Sequence, residues 1–244
     1  MEDKITDQYT KEDLDFMQKF LYKEFFEHVL IKNYLGNSDE VIIPNSFRNK
    51  PITFIDKNFF DTPNFNRVTR LVLNDNLISC YSQVKNAPSI TSLKLGERVN
   101  CVESLIKDSN IQELELGKNQ SYKFIDGCLL SKNGENLIWN LPWIKKVPRG
   151  VINIGAASQF YDSIVIPDSV SSIHVESFKS KIMLVYYCGR KTQWVNIRVI
   201  KSLTSKDIRK GRFDNELKGN TIEKKFRKGK NKLILIVKYN IKFK

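Results

Sequence analysis

Groups that bind metals or serve as nucleophilic machinery are scarce in this sequence, and the scarcity excludes much. Histidine occurs twice in 244 residues, as His28 and His174. Cysteine occurs four times, as Cys80, Cys101, Cys128 and Cys188, with no C-x-x-C spacing. A structural zinc site draws four N or S donors from closely spaced clusters, so no metal is expected. Four cysteines are few for a disulfide scaffold, and the thiols read as buried and free. Long apolar runs are missing too: no stretch of about 18 apolar residues could span a bilayer. The N-terminal MEDKITDQYTKEDLDF is acidic and has neither the basic nor the apolar part of a secretory leader. Cytoplasmic location is the default expectation. Catalytic signatures are lacking: there is no P-loop, no G-x-G-x-x-G, no H-E-x-x-H and no ordered Ser/His/Asp set. His174 follows the apolar Ile173 and reads as an imidazole at the edge of a core. Glu113 and Glu115 share one strand face and read as exposed carboxylates. Neither an enzyme activity nor a cofactor is expected.

What is present is a core and an uneven charge. Hydrophobic residues make up 41% of the chain and aromatic residues 11%, which suffices for a folded protein of this length. The net charge is +13. From residue 200 onward there are 15 Lys/Arg against 4 Asp/Glu, whereas residues 1–199 hold 25 against 23. The basic character thus belongs to a C-terminal segment.

The strongest pattern is an internal repeat. An apolar-x-apolar triplet recurs as Val41-Ile42-Ile43, Leu71-Val72-Leu73, Leu93-Lys94-Leu95, Leu114-Glu115-Leu116, Ile164-Val165-Ile166 and Leu184-Val185-Tyr186, with a further copy around Val147. Each triplet has the period of a strand, so its outer two residues point inward and its middle residue outward. So short a strand cannot bury its apolar face alone. Stacking one every ~20–22 residues builds a parallel sheet over a continuous core. A second apolar slot follows: Ile52-Thr53-Phe54-Ile55 with Phe60, Val151–Ile154 with Phe160, Val170–Ile173 with Phe178. Leu77–Cys80 and Val99–Val102 are degraded copies of it. Cys80 and Cys101 fall one repeat apart, so the two thiols are expected to be neighbours in the core. Pro44, Pro148 and Pro167 follow their triplets closely; proline lacks the N–H that would continue a ladder.

The segment Ile164-Val165-Ile166-Pro167-Asp168-Ser169-Val170-Ser171-Ser172-Ile173, ending at Phe178, resembles the BspA-like leucine-rich repeat, roughly V-x-I-P-x-x-V-x-x-I-x-x-x-A-F. Residues 125–138, with Asn133-Gly134 between apolar stretches, look like the hairpin-bearing repeat of that family; Asn-Gly is itself a hairpin signal. Tyr187-Cys188-Gly189 followed by Trp194 and Ile197 is similar to the family's ending, and Tyr34-Leu35-Gly36 before Val41 to its opening. The resemblance covers residues 29–198. It implies a repeat solenoid of short parallel strands with an irregular convex side, and a role in adhesion or protein binding, often at the cell surface. It supplies no catalytic residues.

The ends complete the reading. Residues 11–27 are predicted to form a helix, N-capped by Thr10 with Asp13 three residues on, and with Leu14, Met17, Leu21 and Phe25 on one face. It would close the open end of the solenoid; a partner-binding helix is the other reading. The alternation from Leu233 to Lys244 predicts a half-buried strand, either joined to the last coil or forming an appendage. Expected domains are therefore a helical cap at 1–28, the solenoid at 29–199 and a basic extension at 200–244. The expected function is a non-enzymatic scaffold for protein–protein interaction. Its outward candidates are Arg70, Val72, Ser92, Lys94, Glu113, Glu115, Ser163 and Val165. The alternative is polyanion or nucleic-acid binding through Lys224, Lys225, Arg227, Lys228, Lys230 and Lys232, which also read as a solvated loop. Trp139 and Trp143 read as core or as an aromatic anchor.

Overall fold

In the computed structural model the described residues are 9–80, 82–100, 102–180 and 182–200, with the strand segments 216–217, 226–228 and 231–238. The chain divides into two compact units, residues 1–122 and 123–244.

The first unit opens with helix α1, Lys11–Lys19. The Asp13 N–H donates to the Thr10 hydroxyl (3.1 Å), and the Thr10 N–H donates to the Asp13 carboxylate (3.0 Å). This is the reciprocal capping box that the sequence predicts. The helix does not reach residue 27. It ends at Lys19, and Phe20–Glu24 forms strand β1, antiparallel to β2 at Val29–Tyr34. Two forces decide this. The aromatic-rich stretch Phe20–Tyr22 suits a pleated surface, and its rings join a cluster in which Phe16 stacks on Phe47 at 4.6 Å and Tyr22 lies 4.7 Å from Phe47. The expected inner face is consequently outside: Leu14, Met17, Leu21 and Phe25 are all exposed.

Two sheets carry the repeat in this unit. Strands β3 (Glu40–Ile42), β6 (Arg70–Val72), β8 (Ser92–Lys94) and β9 (Glu113–Glu115) form one parallel sheet in that order. Val41, Leu71, Leu93 and Leu114 lie in register and are buried. In the other sheet β5 (Lys50–Ile55) runs parallel to β2 and to β7 (Ser79–Cys80), and pairs antiparallel with β4 (Ser46–Phe47). The degraded slot at Val99–Val102 runs into a short helix, α2, at Val102–Ile106. Phe59, Phe60 and Phe65 meet edge-to-face at centroid distances of 5.0–5.1 Å and fill the interior.

Buried asparagines hold the turns after the triplets. Asn74 donates through Nδ2 to the Pro44 and Ile52 carbonyls, and its Oδ1 accepts from the Leu77 N–H. Asn119 donates to the carbonyls of Gly96 (2.7 Å) and Val99 (3.0 Å) and accepts from the N–H groups of Ser121 and Tyr122, both at 2.9 Å. Each amide thus ties backbone groups of different coils that the sheets leave unpaired, as buried polar backbone requires. Gly96 sits where a Cβ would strike the backbone carbonyl of Asn74, so the close approach of these turns needs glycine.

In the second unit β10 (Tyr122–Ile125), β11 (Cys128–Ser131) and β12 (Asn136–Asn140) lie side by side. The expected hairpin is β11–β12, turning at Asn133-Gly134, where Gly134 has φ +86° and donates to the Ser131 carbonyl. Strands β12, β13 (Asn153–Ile154), β15 (Ser172–His174) and β17 (Arg198–Ile200) then run parallel. A second sheet contains β14 (Ser163–Ile166), β16 (Ile182–Tyr187) and β20 (Asn231–Lys238), all parallel, and the Val147 copy enters it through a parallel bridge between Lys146 and Val165. The terminal strand therefore joins the last coil rather than standing apart. Phe160 and Phe178 form a parallel bridge and lie 6.3 Å apart at the ring centroids, one repeat above the other. Tyr187 and Trp194, the latter on the short helix α3 (Lys191–Trp194), close the core edge-to-face at 5.1 Å.

Apart from the parallel sheet of β3, β6, β8 and β9, the sheets are mixed. The antiparallel members β1, β4, β11, β18 (Glu216–Leu217) and β19 (Phe226–Lys228) each pair with the neighbouring parallel strand. Hairpin partners are a compact way to satisfy a sheet edge that has no further coil to pair with.

Candidate functional site

Six of the eight outward candidates fall on one surface of the first unit. Cross-strand register aligns Glu40, Arg70, Ser92 and Glu113 in one row and Ile42, Val72, Lys94 and Glu115 in the next. Adjacent rows on a parallel sheet stand within reach of long side chains. Arg70 uses this reach. Its Nε donates to Glu40 Oε1 (3.0 Å), its Nη1 donates to the Ser92 hydroxyl (2.8 Å), and its Nη2 lies 3.0 Å from Glu115 Oε1. One guanidinium thereby joins four strands. The hydrogen bond to Glu115 is the chief cause raising the Arg70 pKa above its usual value, with Glu40 contributing further. A planar five-donor fork suits this bridging; a lysine could not span it.

The burial of each candidate sharpens the expectation. Glu113 and Glu115 are exposed, while Arg70, Val72 and Lys94 are half-buried. Ser92 departs from the prediction: it is only 9% exposed, being covered by Arg70. Strand alternation alone gives no account of a long neighbour folding over a short one. The surface also holds two residues that the candidate set omits, Glu40 and Ile42, of which Ile42 is 57% exposed. The signal was available, because Val41-Ile42-Ile43 has the same alternation as the other triplets. Ser163 and Val165 lie on the corresponding sheet of the second unit, where Val165 is in register with Tyr186 and Lys238.

Other candidates separate cleanly. Trp139 is fully buried, whereas Trp143 is 55% exposed. Cys80 and Cys128 are buried free thiols, and burial pushes the pKa of each up to about 12. Such thiols are inert rather than nucleophilic. Cys101, and with it the expected Cys80–Cys101 neighbourhood, lies outside the described residues. Among the basic candidates, Arg227 and Lys228 are on β19 and Lys232 is on β20; Lys224, Lys225 and Lys230 lie outside the described residues. Among the described residues no group of three or more His, Cys, Asp or Glu could hold a metal ion, and no helix is long and apolar enough to cross a membrane.

The class defined by these observations is a repeat protein whose stacked strands expose a bridged, charged surface. No protein-family model matches the sequence, and no curated protein does. Two solved structures align with it. A leucine rich repeat protein of T. pallidum covers 68% of this chain and 73% of its own, at 13% identity and a TM-score of 0.33. A leucine rich cell surface protein from Faecalibacterium prausnitzii A2-165 covers 78% and 97%, at 13% identity and a TM-score of 0.23. Leucine-rich-repeat proteins are thus what this chain is similar to.

Proposed function

We propose that the chain is a leucine-rich-repeat scaffold of the BspA-like kind, and that it binds a protein partner through the outer face of β3, β6, β8 and β9. The observation that carries the reading is the Arg70 bridge. It fixes Glu40 and Glu115 in place, so that a partner meets an arranged set of charges rather than mobile side chains. Side chains already ordered cost less entropy when a complex forms. Lys94 and Glu113 extend the pattern, and Ile42 and Val72 supply apolar contact beside it.

The test is affinity capture from nuclease-treated lysate of the source organism with the full chain and with a K94E/E113K variant. Charge reversal at two contact positions is expected to abolish recovery of a discrete partner, since like charges placed opposite each other cost several kcal/mol. The same partner recovered equally by both proteins would remove this surface from the function.

A further inference from the structure

A continuous chain of side-chain hydrogen bonds crosses β15, β13, β12 and β11 in the second unit. Asn136, Asn153 and Ser172 stand in one cross-strand row. The Ser172 hydroxyl donates to Asn153 Oδ1 (2.6 Å), Asn153 Nδ2 donates to Asn136 Oδ1 (2.8 Å), and Asn136 Nδ2 donates to the Ser131 hydroxyl (3.2 Å). Ser131 in turn donates to Asn133 Oδ1 (2.6 Å), and Asn133 Nδ2 donates to Glu135 Oε2 (2.7 Å). All these bonds point the same way and the last acceptor is a carboxylate, so each polarises the next. The chain ends at Asn133-Gly134, the one Asn-Gly pair in the sequence. Glycine has no Cβ to shield its amide nitrogen, and its backbone turns freely. In an open chain that nitrogen reaches the side-chain carbonyl of the preceding asparagine.

We infer that Asn133 is a site of spontaneous covalent modification, closed in the folded hairpin and exposed when β11 and β12 separate. In the reaction the Gly134 nitrogen gives its proton to water and bonds to Asn133 Cγ, the Cγ–Nδ2 bond breaks, and ammonia leaves. Water then opens the five-membered imide at one of its two carbonyls, which leaves aspartate or isoaspartate. The folded hairpin withholds both reactants. The Gly134 N–H is engaged by the Ser131 carbonyl (2.8 Å), in a turn that the chain leaves through Gly134 at φ +86°. The Asn133 amide is held at both ends, and its Oδ1 also accepts from the Glu135 N–H (3.1 Å). Reaction therefore draws on the locally opened population. It is also one-way. An oxygen replaces the Nδ2 donor that stood 2.7 Å from Glu135, setting carboxylate against carboxylate, and isoaspartate lengthens the backbone of the turn by one carbon. A hairpin that has opened and reacted cannot rebuild the end of its hydrogen-bond chain, so Asn133 keeps a record of opening. This chemistry does not depend on the binding face proposed for the first unit.

The test is peptide mapping of the full chain held at mildly alkaline pH and body temperature, with aspartate and isoaspartate at position 133 resolved by chromatography. Native protein is expected to convert on the order of a hundredfold more slowly than protein in urea. Equal rates would overturn the protection, and no conversion in urea would remove the site. S131A and E135A each take away one hold on the amide; Glu135 is exposed, and E135A keeps its N–H in place. Both variants are expected to convert several-fold faster than wild type when native and at the wild-type rate in urea. Native rates unchanged in both would overturn the role of the hydrogen-bond chain. N133D is expected to melt below N133A, since it adds repulsion to the lost bond, and melting at or above N133A would overturn the one-way character of the change.

Discussion

Asn119→Ala is the perturbation from which the most can be learned. The side chain is 2% exposed and, among the described residues, makes four hydrogen bonds, two donated to the Gly96 and Val99 carbonyls and two accepted from the Ser121 and Tyr122 N–H groups. Alanine removes all four partners at once. A buried group left unsatisfied costs about 1–3 kcal/mol, and a carbonyl with a second lone pair engaged loses less than an orphaned N–H. The bonds to Gly96, Val99 and Tyr122 are buried and the one to Ser121 is partly so, so the expected loss is about 2–5 kcal/mol. Urea unfolding followed by circular dichroism checks this, with a midpoint about 1–2 M lower at an ordinary slope for a unit of this size. Asn86→Ala is the matched control: Asn86 is exposed and its side-chain amide donates to the Asp61 carboxylate, so its change should stay within about 0.5 kcal/mol. If Asn119→Ala fell within that same margin at an unchanged slope, the amide would not be holding the coils, and the account of the turns would be wrong.

Three other outcomes follow from the same geometry. Gly96→Ala should destabilise by about 1–3 kcal/mol or more, because the added carbon meets the Asn74 backbone rather than a side chain that could yield; a melting temperature equal to wild type would contradict this. Thr10→Ala should cost about 1 kcal/mol through the lost cap. The Asp13 carboxyl is held below its usual value, chiefly by the Thr10 N–H, so its contribution is complete above the unfolded value and lost as pH falls through the folded one. Alanine at position 10 keeps that N–H, so it is Asp13→Asn, which removes the titrating carboxyl, that should weaken the acid-side decline in stability, read from melts between neutral and acid pH. Cys80 and Cys128, with pKa values of about 12, carry thiolate on the order of one part in 10⁵ at neutral pH. Peptide mapping after brief alkylation should find both unlabelled in native protein and labelled in urea, and rapid native labelling of either would refute their burial.

The repeat was legible because burial on a strand follows a two-residue period that nothing local disturbs. Leu71, Leu93 and Ile164 lie inside as their triplets predict, and Val72, Lys94 and Val165 lie outward. Phe60, Phe160 and Phe178 were placed in the core by their fixed distance from an apolar pair, and all three are buried. The N-terminal segment misled for a physical reason. Leu14, Met17, Leu21 and Phe25 satisfy a helical stripe, but pairing with β2 and the ring cluster around Phe47 outweigh it, and β2 itself fell at an assumed boundary. The asparagine staples were invisible because a buried amide and a solvated one look alike in sequence; only the carbonyls of distant coils distinguish them. Of the candidate surface, the positions were legible and the Arg70 bridge was not, since its length and direction are set by tertiary neighbours.

The parallel ladder of β3, β6, β8 and β9 also limits how this chain can change length. Its rows join residue 70 to 92 and 92 to 113, so each strand is separated from the next by one whole circuit. The two circuits differ by one residue, yet Leu71, Leu93 and Leu114 stay in one buried row. The turns between the strands therefore absorb a one-residue change, whereas a residue lost inside a triplet would invert the side chains beyond it, leucine outward and lysine inward. Removing a complete circuit would leave the remaining rows in phase. In this column changes of length are thus borne by the turns or by whole coils, and not by the strands.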